Sequence, residues 1–324
     1  IILLQLAMNC AHRKHLSPTL LILSILIPAP MWYQQYLDLL SKSRTSWHED
    51  KPINEFFRLR SISGTCLHLA VLRLLSYILL IPYWIWLILV FLCFLVSSSL
   101  IGLILIPTIG KRAHQPMMMV YKFWSATFFF CAGIRIKTIN REKLFGNLPC
   151  IVVSNHGSNL DMFIGVYSLP LSVKPLAKVQ LKKMPLLAFL FATVCVLVDR
   201  RSKESRDKSS RAMMSEILSG NSIFIFPEGT RNKSQEPLNE FFDGAFRFAI
   251  ESQKPLVAMC SINARNITPS DNYAVRPGTI TIKFLGPYET TGLTKEDLPA
   301  LKTKIREEMY QVLKTEDPMF KHLL

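Results

Sequence analysis

The longest apolar segment of the chain runs from Leu74 to Gly110, and no charged residue or His interrupts it. A straight helix over this segment would be roughly 55 Å long at about 1.5 Å per residue. The hydrocarbon core of a bilayer is only about 30 Å thick. We therefore expect the segment to bend, and the candidate break points are Pro82, the serines at 97–99 and Gly102.

Basic residues flank this segment on both sides. Arg58, Arg60 and Arg73 precede it, and Lys111 and Arg112 follow it. Because the cytoplasmic flanks of membrane segments are enriched in Lys and Arg, both ends are expected on the cytoplasmic side. A helical hairpin that enters the membrane and returns satisfies both the length and the charges. Two full crossings and a hairpin within one leaflet fit equally well, and a buried helix pair in a soluble core is the alternative.

The residues around the apolar segment complete the N-terminal half. Residues 117–130, MMMVYKFWSATFFF, are rich in aromatic side chains that suit a membrane interface. We assign 66–130 to a membrane-embedded helical hairpin with an interfacial segment, and 1–65 to an N-terminal extension. Residues 1–30 would be absent from the mature protein if translation begins at Met31.

From residue 131 the pattern changes to short β-branched runs separated by amphipathic or polar stretches. The runs predict strands at 134–139, 151–154, 194–199, 222–226, 255–262 and 279–286. The stretches between and after them predict helices at 161–167, around 203–219, at 239–252 and at 298–314. Strands that alternate with helices indicate an α/β domain over 131–324, with a mixed, largely parallel sheet flanked by helices.

Composition narrows the choice of partner. Half of the residues are hydrophobic and the formal net charge is +15. A basic chain suits nucleic acid, an anionic membrane surface or a polyanionic substrate. A nucleic-acid-binding motif is absent from the sequence, so membrane lipids and a phosphorylated substrate are the expected partners. The seven cysteines form no CxxC pair, and no His/Cys cluster has metal-ligand spacing, which favours reduced thiols and predicts no metal site.

A candidate catalytic pair follows the strand at 151–154, in the stretch SNHGSNLD. Asn155 and His156 lie at the carboxyl end of that strand, where open α/β sheets place their ligands. Gly157 allows a sharp turn, and Asp161 falls in the first turn of the next helix. A carboxylate on one ring nitrogen fixes the tautomer and leaves the other nitrogen as a base. Alone, the same pattern also fits a helix cap and a surface residue.

The stretch SIFIFPEGTRN at 222–232 ends another predicted strand in the same way. Pro227 and Gly229 force a turn, so Glu228 and Arg231 are expected at the same sheet edge as His156. An Arg side chain has the planar fork that suits phosphate, and a carboxylate accepts from a hydroxyl. A surface ion pair in a strand-ending turn is the simpler interpretation of this stretch alone.

Together the two stretches resemble the glycerolipid acyltransferase family, specifically the 1-acyl-glycerol-3-phosphate (lysophosphatidate) acyltransferases. NHGSNLD and FPEGTR match that family's first and third boxes at every defining position, in the family's order, and the resemblance covers roughly 115–290. In the second box, VLVDR, Arg200 matches the family Arg, with Arg201 as an adjacent competitor. The sequence departs from the family at Val194, where Gly is usual, and at Ala258, where a second Pro is common. Both departures are expected to affect acceptor and acyl recognition rather than the base.

The resemblance implies a role for each matching residue. His156 would remove the proton from the acceptor hydroxyl, and Asp161 would orient the imidazole. Arg231 would bind the acceptor phosphate and Glu228 the glycerol end, while Gly157 and nearby amides would stabilise the oxyanion. The full substrate-binding set that the resemblance implies is Asn155, Lys178, Arg200, Glu228, Gly229, Thr230 and Arg231.

The resemblance also implies the reaction. It is the transfer of a fatty acyl group from acyl-CoA or acyl carrier protein to the sn-2 hydroxyl of 1-acyl-glycerol-3-phosphate, giving phosphatidate. The enzyme would be membrane-bound with its catalytic domain on the cytoplasmic face, and it would need neither metal nor other cofactor. Three alternatives remain. One is an acyltransferase for another lysolipid, such as a lyso-ornithine lipid or lysophosphatidylglycerol. The others are a non-catalytic membrane scaffold and a phosphatase or hydrolase that uses His156.

Overall fold

The computed structural model describes residues 55–180, 194–199, 202–271 and 274–323. The predictions for 1–54 and for Arg200 lie outside the described residues. The chain divides between Ile88 and Leu89 into two compact units. The α/β fold lies in the second unit.

The apolar segment forms part of one continuous helix, α1, from Glu55 to Ile109. The expectation of a break at Pro82, at 97–99 or at Gly102 is therefore wrong. Two of the serines satisfy their hydroxyls within the helix, since those of Ser97 and Ser99 donate to the carbonyls of Cys93 and Leu95, both at 2.6 Å. The portion Ile81–Ile109 is long and apolar enough to cross a membrane, by length and composition.

The chain reverses just after the predicted segment rather than within it. Gly110 has a φ of +54°, a left-handed conformation that glycine adopts without steric cost. It opens a 3₁₀ turn, Gly110–Ala113, which leads into a second helix, α2, from His114 to Cys131. The aromatic-rich segment 117–130 is thus helical.

Within the second unit, α2 packs against the last part of α1. The rings of Phe94 and Tyr121 meet edge to face with centroids 5.6 Å apart, and Phe163 lies 5.9 Å from Phe94. Met117 and Met118 are fully buried beside them, whereas the opposite side of α2 leaves Phe123 and other apolar residues exposed. The helix pair therefore has one face joined to the α/β domain and another that is apolar and uncovered.

Among the described residues, seven strands form one sheet in the order β1-β7-β6-β2-β5-β3-β4. Their bounds are β1 Ile134–Ile139, β2 Ile151–Ser154, β3 Val173–Lys178, β4 Val196–Val198, β5 Ser222–Ile225, β6 Leu256–Ile262 and β7 Gly278–Tyr288. Neighbouring strands are parallel except for β6 and β7, which are antiparallel. The predicted mixed, largely parallel sheet is confirmed.

The sequence pattern missed β3. Its sequence, VKPLAK, includes Pro175, which has no N–H to donate, and a proline within a run argues against a strand. In the sheet Pro175 pairs with Phe224 of β5, and Lys178 pairs with Val198 of β4. Neighbouring strands therefore fix β3 where its own pattern does not.

The remaining helices flank the sheet. They are α3 Glu142–Phe145, α4 Asp161–Ser168, α5 Lys203–Leu218, α6 Gly244–Ser252, α7 Ala264–Ile267 and α8 Leu298–Glu316. The main core lies under α6 and α8, where buried side chains such as Phe246, Ile305 and Met309 pack on the strands. Helix α6 begins at Gly244 rather than at 239, so Phe242 precedes the helix and is 62% exposed.

The strand order sets the position of the two motif turns. Strands β2 and β5 are parallel neighbours, with Ile151 opposite Ile223 and Val153 opposite Ile225. Because the carboxyl ends of parallel neighbours lie at one edge of the sheet, the chain leaves β2 and β5 side by side. The stretches NHGSNLD and FPEGTR therefore begin next to each other in space.

Candidate active site

His156 and Asp161 form a hydrogen-bonded pair at this edge. Imidazole Nδ1 lies 2.7 Å from Asp161 Oδ2. The His156 side chain is 20% exposed and that of Asp161 only 2%. The backbone N–H of Ser158 also donates to Asp161 Oδ2, at 2.8 Å. Within the part of the chain that the structure describes, no side chain bonds to Nε2, so this nitrogen is the one that can face a substrate.

The second motif holds the backbone of His156 from both sides. Its N–H donates to Glu228 Oε1 at 2.7 Å. Its carbonyl accepts from the N–H of Asn232 at 2.6 Å. The other oxygen of Glu228, Oε2, accepts from the N–H of Asn239 at 2.9 Å. The FPEGTR loop and the residues after it thus determine where the His156 peptide lies.

The imidazole also stacks on an aromatic ring from that loop. The rings of His156 and Phe226 have centroids 4.1 Å apart and planes 19° apart. Phe226 is further braced by Phe224, whose ring meets it edge to face at 4.8 Å. Phe226 and Pro227 also line a cavity of 730 Å³ whose other walls include residues of α5 and α6. One face of the imidazole is therefore fixed against an apolar surface.

Arg231 lies at the open side of the site. It is exposed, and its guanidinium donates to the side-chain oxygen of Asn159, in the turn that follows His156. Thr230 is exposed beside it, and Gly229, with a φ of +68°, forms the tight turn that precedes them. The arrangement brings the predicted phosphate-binding residue to the same turn as the base.

The other predicted substrate-binding residues occupy different places. Asn155 is buried, and its amide exchanges bonds with the backbone of Ser261 in β6: Oδ1 accepts at 2.7 Å and Nδ2 donates at 3.3 Å. This contact fastens the end of β2 to β6. Lys178 is the last residue of β3, one strand beyond β5, and Arg200 lies outside the described residues.

Glu228 is buried at the centre of the site. The pKa of Glu228 is raised to about 7, chiefly because the carboxyl is buried. The nearby Asp161 carboxylate also raises it, whereas the amides of Asn239 and His156 and the Arg265 guanidinium lower it. Arg265, on α7, packs against Gly157, where an added Cβ would lie 3.3 Å from Arg265 Cδ. The charge of a buried carboxylate is thus opposed by desolvation and supported by amides and one cation.

Sequence reasoning missed Phe226, Asn232, Asn239 and Arg265. Phe226 and Asn232 are the first and last residues of the stretch FPEGTRN, which contains the predicted site residues. That position is the signal that could have identified them. Asn239 and Arg265 carry no local signal, since they reach the site only through the tertiary fold.

An apolar cavity of 170 Å³ lies beside the helix that begins with Asp161. Met162 and Phe163 of α4 form one wall, and residues of α1 and α2 form another; the lining residues are Phe91, Phe94, Tyr121, Ser125, Met162, Phe163, Val166, Pro175, Val194 and Cys195. The family departure at Val194 therefore lines this cavity. The departure at Ala258 instead lies fully buried in the core under α6 and α8, so the expectation that it affects substrate recognition is not supported.

Comparison with known proteins agrees with the geometry. A family profile described as Acyltransferase matches residues 135–262. The putative 1-acyl-sn-glycerol-3-phosphate acyltransferase acl-1 of Caenorhabditis elegans is 32% identical over 193 residues, covering 58% of this chain and 71% of that protein. The chain belongs to the 1-acyl-sn-glycerol-3-phosphate acyltransferase family. It is an enzyme of the acyltransferase type.

Two further comparisons extend the likeness of this acyltransferase. The 1-acyl-sn-glycerol-3-phosphate acyltransferase of Saccharomyces cerevisiae is 27% identical over 219 residues, covering 67% of this chain and 72% of that protein. The crystal structure of the 1-acyl-sn-glycerophosphate (LPA) acyltransferase PlsC from Thermotoga maritima has a TM-score of 0.58, covering 72% of this chain and 95% of that one. At 17% identity, the structural match establishes the fold.

Proposed function

We propose that this acyltransferase moves a fatty acyl group from a thioester donor to the free sn-2 hydroxyl of 1-acyl-glycerol-3-phosphate, giving phosphatidate. The observation that carries the proposal is the His156–Asp161 pair, 2.7 Å apart, in the same turn that contacts Arg231. A base and a phosphate-binding cation so close together suit an acceptor that carries a hydroxyl and a phosphate.

The proposed chemistry is general base catalysis. His156 Nε2 takes the proton from the acceptor hydroxyl as its oxygen attacks the thioester carbonyl. The tetrahedral intermediate then collapses with cleavage of the C–S bond, and the imidazolium returns the proton to the departing thiolate. Because Asp161 bonds to Nδ1, it keeps the proton on that nitrogen and stabilises the positive charge. No acyl-enzyme forms, since the acceptor is itself the nucleophile.

General base catalysis supplies about 10²–10⁴-fold. Positioning and oxyanion stabilisation must supply the rest. Arg231 is the proposed phosphate contact, and Thr230 and Gly229 lie in the same turn. Lys178 and Arg200 are proposed to add positive charge.

The acyl chains and the membrane complete the proposal. The 170 Å³ cavity beside α4 has an almost entirely apolar lining and is proposed to hold part of an acyl chain. Exposed apolar residues of α1 and α2, such as Leu103, Ile104 and Phe123, are proposed to lie in lipid. The acceptor would then enter laterally from the cytoplasmic leaflet. The donor, acyl-CoA or acyl carrier protein, would arrive from the cytosol.

The test is an acyl-transfer assay with purified protein in detergent or vesicles, using radiolabelled 1-acyl-glycerol-3-phosphate and both donor types. His156→Ala should abolish phosphatidate formation while the variant still sediments with vesicles. His322→Ala, at an exposed histidine near the C-terminus, is the matched control and should retain activity. Turnover by His156→Ala at the wild-type rate would contradict the base assignment.

The acceptor is tested in the same assay. Arg231→Ala should raise the KM for 1-acyl-glycerol-3-phosphate by at least about tenfold, the size of a lost charge-assisted contact. It should change the donor KM little. Arg211→Ala, at an exposed arginine of α5, is the control. If the wild-type enzyme acylates lysophosphatidylglycerol or a lyso-ornithine lipid but not 1-acyl-glycerol-3-phosphate, the proposed acceptor is wrong.

A further inference from the structure

Glu228 is too deeply buried to contact the acceptor substrate directly. Its side chain is 2% exposed. Both carboxylate oxygens already accept backbone amides, Oε1 from His156 at 2.7 Å and Oε2 from Asn239 at 2.9 Å. A residue that binds the glycerol end would need an oxygen that substrate can reach. The neighbouring Thr230 and Arg231 have that access, since both are exposed.

We infer that Glu228 is a positioning residue, which joins the His156 turn to the loop at Asn239 and so sets where the catalytic base lies. The inference rests on the proposed function, because it assigns Glu228 a part in the same reaction. It replaces the direct glycerol contact that the family resemblance implies for this residue.

Several contacts constrain both the backbone and the ring of His156. Glu228 holds its N–H, Asn232 holds its carbonyl at 2.6 Å, and the Phe226 ring stacks on its imidazole. These contacts come from one continuous segment, 226–232. Asp161 then fixes the remaining rotation of the ring. Removing Glu228 frees one side of the peptide while the other contacts remain, so the base should shift rather than leave the site.

A carboxylate suits position 228 better than an amide does. The two N–H donors meet different oxygens of the Glu228 side chain, and an ionised carboxylate supplies both acceptors. The amide of Gln has one acceptor oxygen and one NH₂ group. Gln at position 228 would therefore set a donor against the N–H of either His156 or Asn239. A side chain that only accepted one substrate hydroxyl would not need both oxygens in this way.

Neighbouring side chains act on both the Glu228 carboxylate and the backbone of Asn239. The Arg265 guanidinium lowers the pKa of Glu228, and the Arg265 side chain packs against Gly157, where an added Cβ would lie 3.3 Å from Arg265 Cδ. On the other side, Arg306 of α8 donates to the carbonyl of Asn239 at 3.4 Å and pairs with Glu240 at 2.9 Å. The residue whose N–H donates to Glu228 is thus itself contacted by helix α8 through its carbonyl.

The kinetic test separates positioning from binding. In Glu228→Gln, kcat should fall by about 10²-fold, the size expected when a catalytic group is misplaced by about 1 Å. The KM values for acceptor and donor should stay within about threefold of wild type, because substrate contacts are retained. Glu228→Asp keeps the charge but is too short to reach both amides, so it should show the same split with a smaller loss. A rise in the acceptor KM with kcat unchanged would overturn the inference in favour of a substrate contact.

A second readout needs no substrate. Hydrogen exchange measured by mass spectrometry should show faster exchange in Glu228→Gln for peptides that contain the His156 and Asn239 amides. Glu289→Gln, at an exposed position directly after β7, is the matched control and should change neither exchange nor kcat. Unchanged protection at both amides in Glu228→Gln and Glu228→Asp would overturn the inference. Failure of the proposed function is seen separately, as wild-type protein that makes no phosphatidate while the exchange difference persists.

Discussion

The imidazole of His156 lies against the ring of Phe226, with centroids 4.1 Å apart and planes 19° apart. The contact joins the first motif to the residue that opens the second. It means that the base is packed as well as hydrogen-bonded. One face of the ring is closed by Phe226, while Asp161 holds one edge at 2.7 Å and Nε2 remains for substrate.

Phe226→Leu should therefore lower kcat without weakening substrate binding. Aromatic pairs contribute about 0.5–1.5 kcal/mol beyond burial. The loss of that interaction would correspond to roughly a two- to tenfold fall in kcat if it all serves to hold the ring. Phe226→Tyr keeps the stack and should stay close to wild type. Steady-state kinetics with both variants decide it, and equal kcat for Phe226→Leu and wild type would show that the stack does not restrain the base.

Asp161→Asn should be far more damaging. The Asn amide can present an N–H to Nδ1, which favours the tautomer with its proton on Nε2, the nitrogen that must act as base. In a His–Asp pair this change lowers kcat by up to about 10⁴-fold. The KM values should change little, and circular dichroism should show a folded protein. Asp297→Asn, at the start of α8, is the control. A loss of less than about tenfold would remove Asp161 from the mechanism.

The buried Glu228 predicts a pH dependence of stability. Burial raises its pKa from 4.5 to about 7, so the folded state binds this proton more tightly than the unfolded state. The contribution to stability is full below pH 4.5 and is lost as pH rises towards about 7. The groups that act on the carboxylate are the amides of His156 and Asn239, the Asp161 carboxylate and the Arg265 guanidinium.

The size of that loss is about 3 kcal/mol at roughly 1.4 kcal/mol per pKa unit. Thermal or urea unfolding from pH 4.5 to 7.5 should therefore show a steeper decline for wild type than for Glu228→Gln. Activity should change in the opposite sense, because only the ionised carboxylate accepts both amides. Parallel pH profiles of stability for the two proteins would show that Glu228 titrates near its ordinary value.

Val194→Trp should shorten the acyl chains that the enzyme uses. Val194 lines the 170 Å³ apolar cavity, and a larger side chain would fill part of it. Each methylene that can no longer be buried costs about 0.8 kcal/mol, or roughly fourfold. The kcat/KM across a series of donor and acceptor chain lengths should fall for long chains and remain for short ones. Ala258→Val would not serve as a control for this variant, because Ala258 lies in the packed core. An unchanged chain-length profile would show that this cavity does not hold an acyl chain.

Local patterns in the sequence were enough for most of the α/β fold. The β-branched runs at 134–139 and 151–154 became β1 and β2 with the same bounds, and the polar segment near 203–219 became α5. These elements can be predicted from the sequence because the pattern of apolar and polar residues along each of them reflects its local environment. Strand β3, with Pro175 in it, does not, and neither does the continuous helix α1 through Pro82.

The close approach of His156 and Asp161 followed from the sequence, because five positions span one turn and the start of a helix. Three other sets of contacts did not follow from the sequence: those of Glu228 with His156 and Asn239, that of Phe226 with the imidazole, and that of Arg265 with Gly157. Those contacts exist because β2 lies between β5 and β6 in the sheet, which brings the ends of three strands together. Strand order depends on the packing of the whole domain, and no local pattern records it. The sequence by itself thus predicted the candidate base and its carboxylate, and the tertiary structure decided which residues hold them in place.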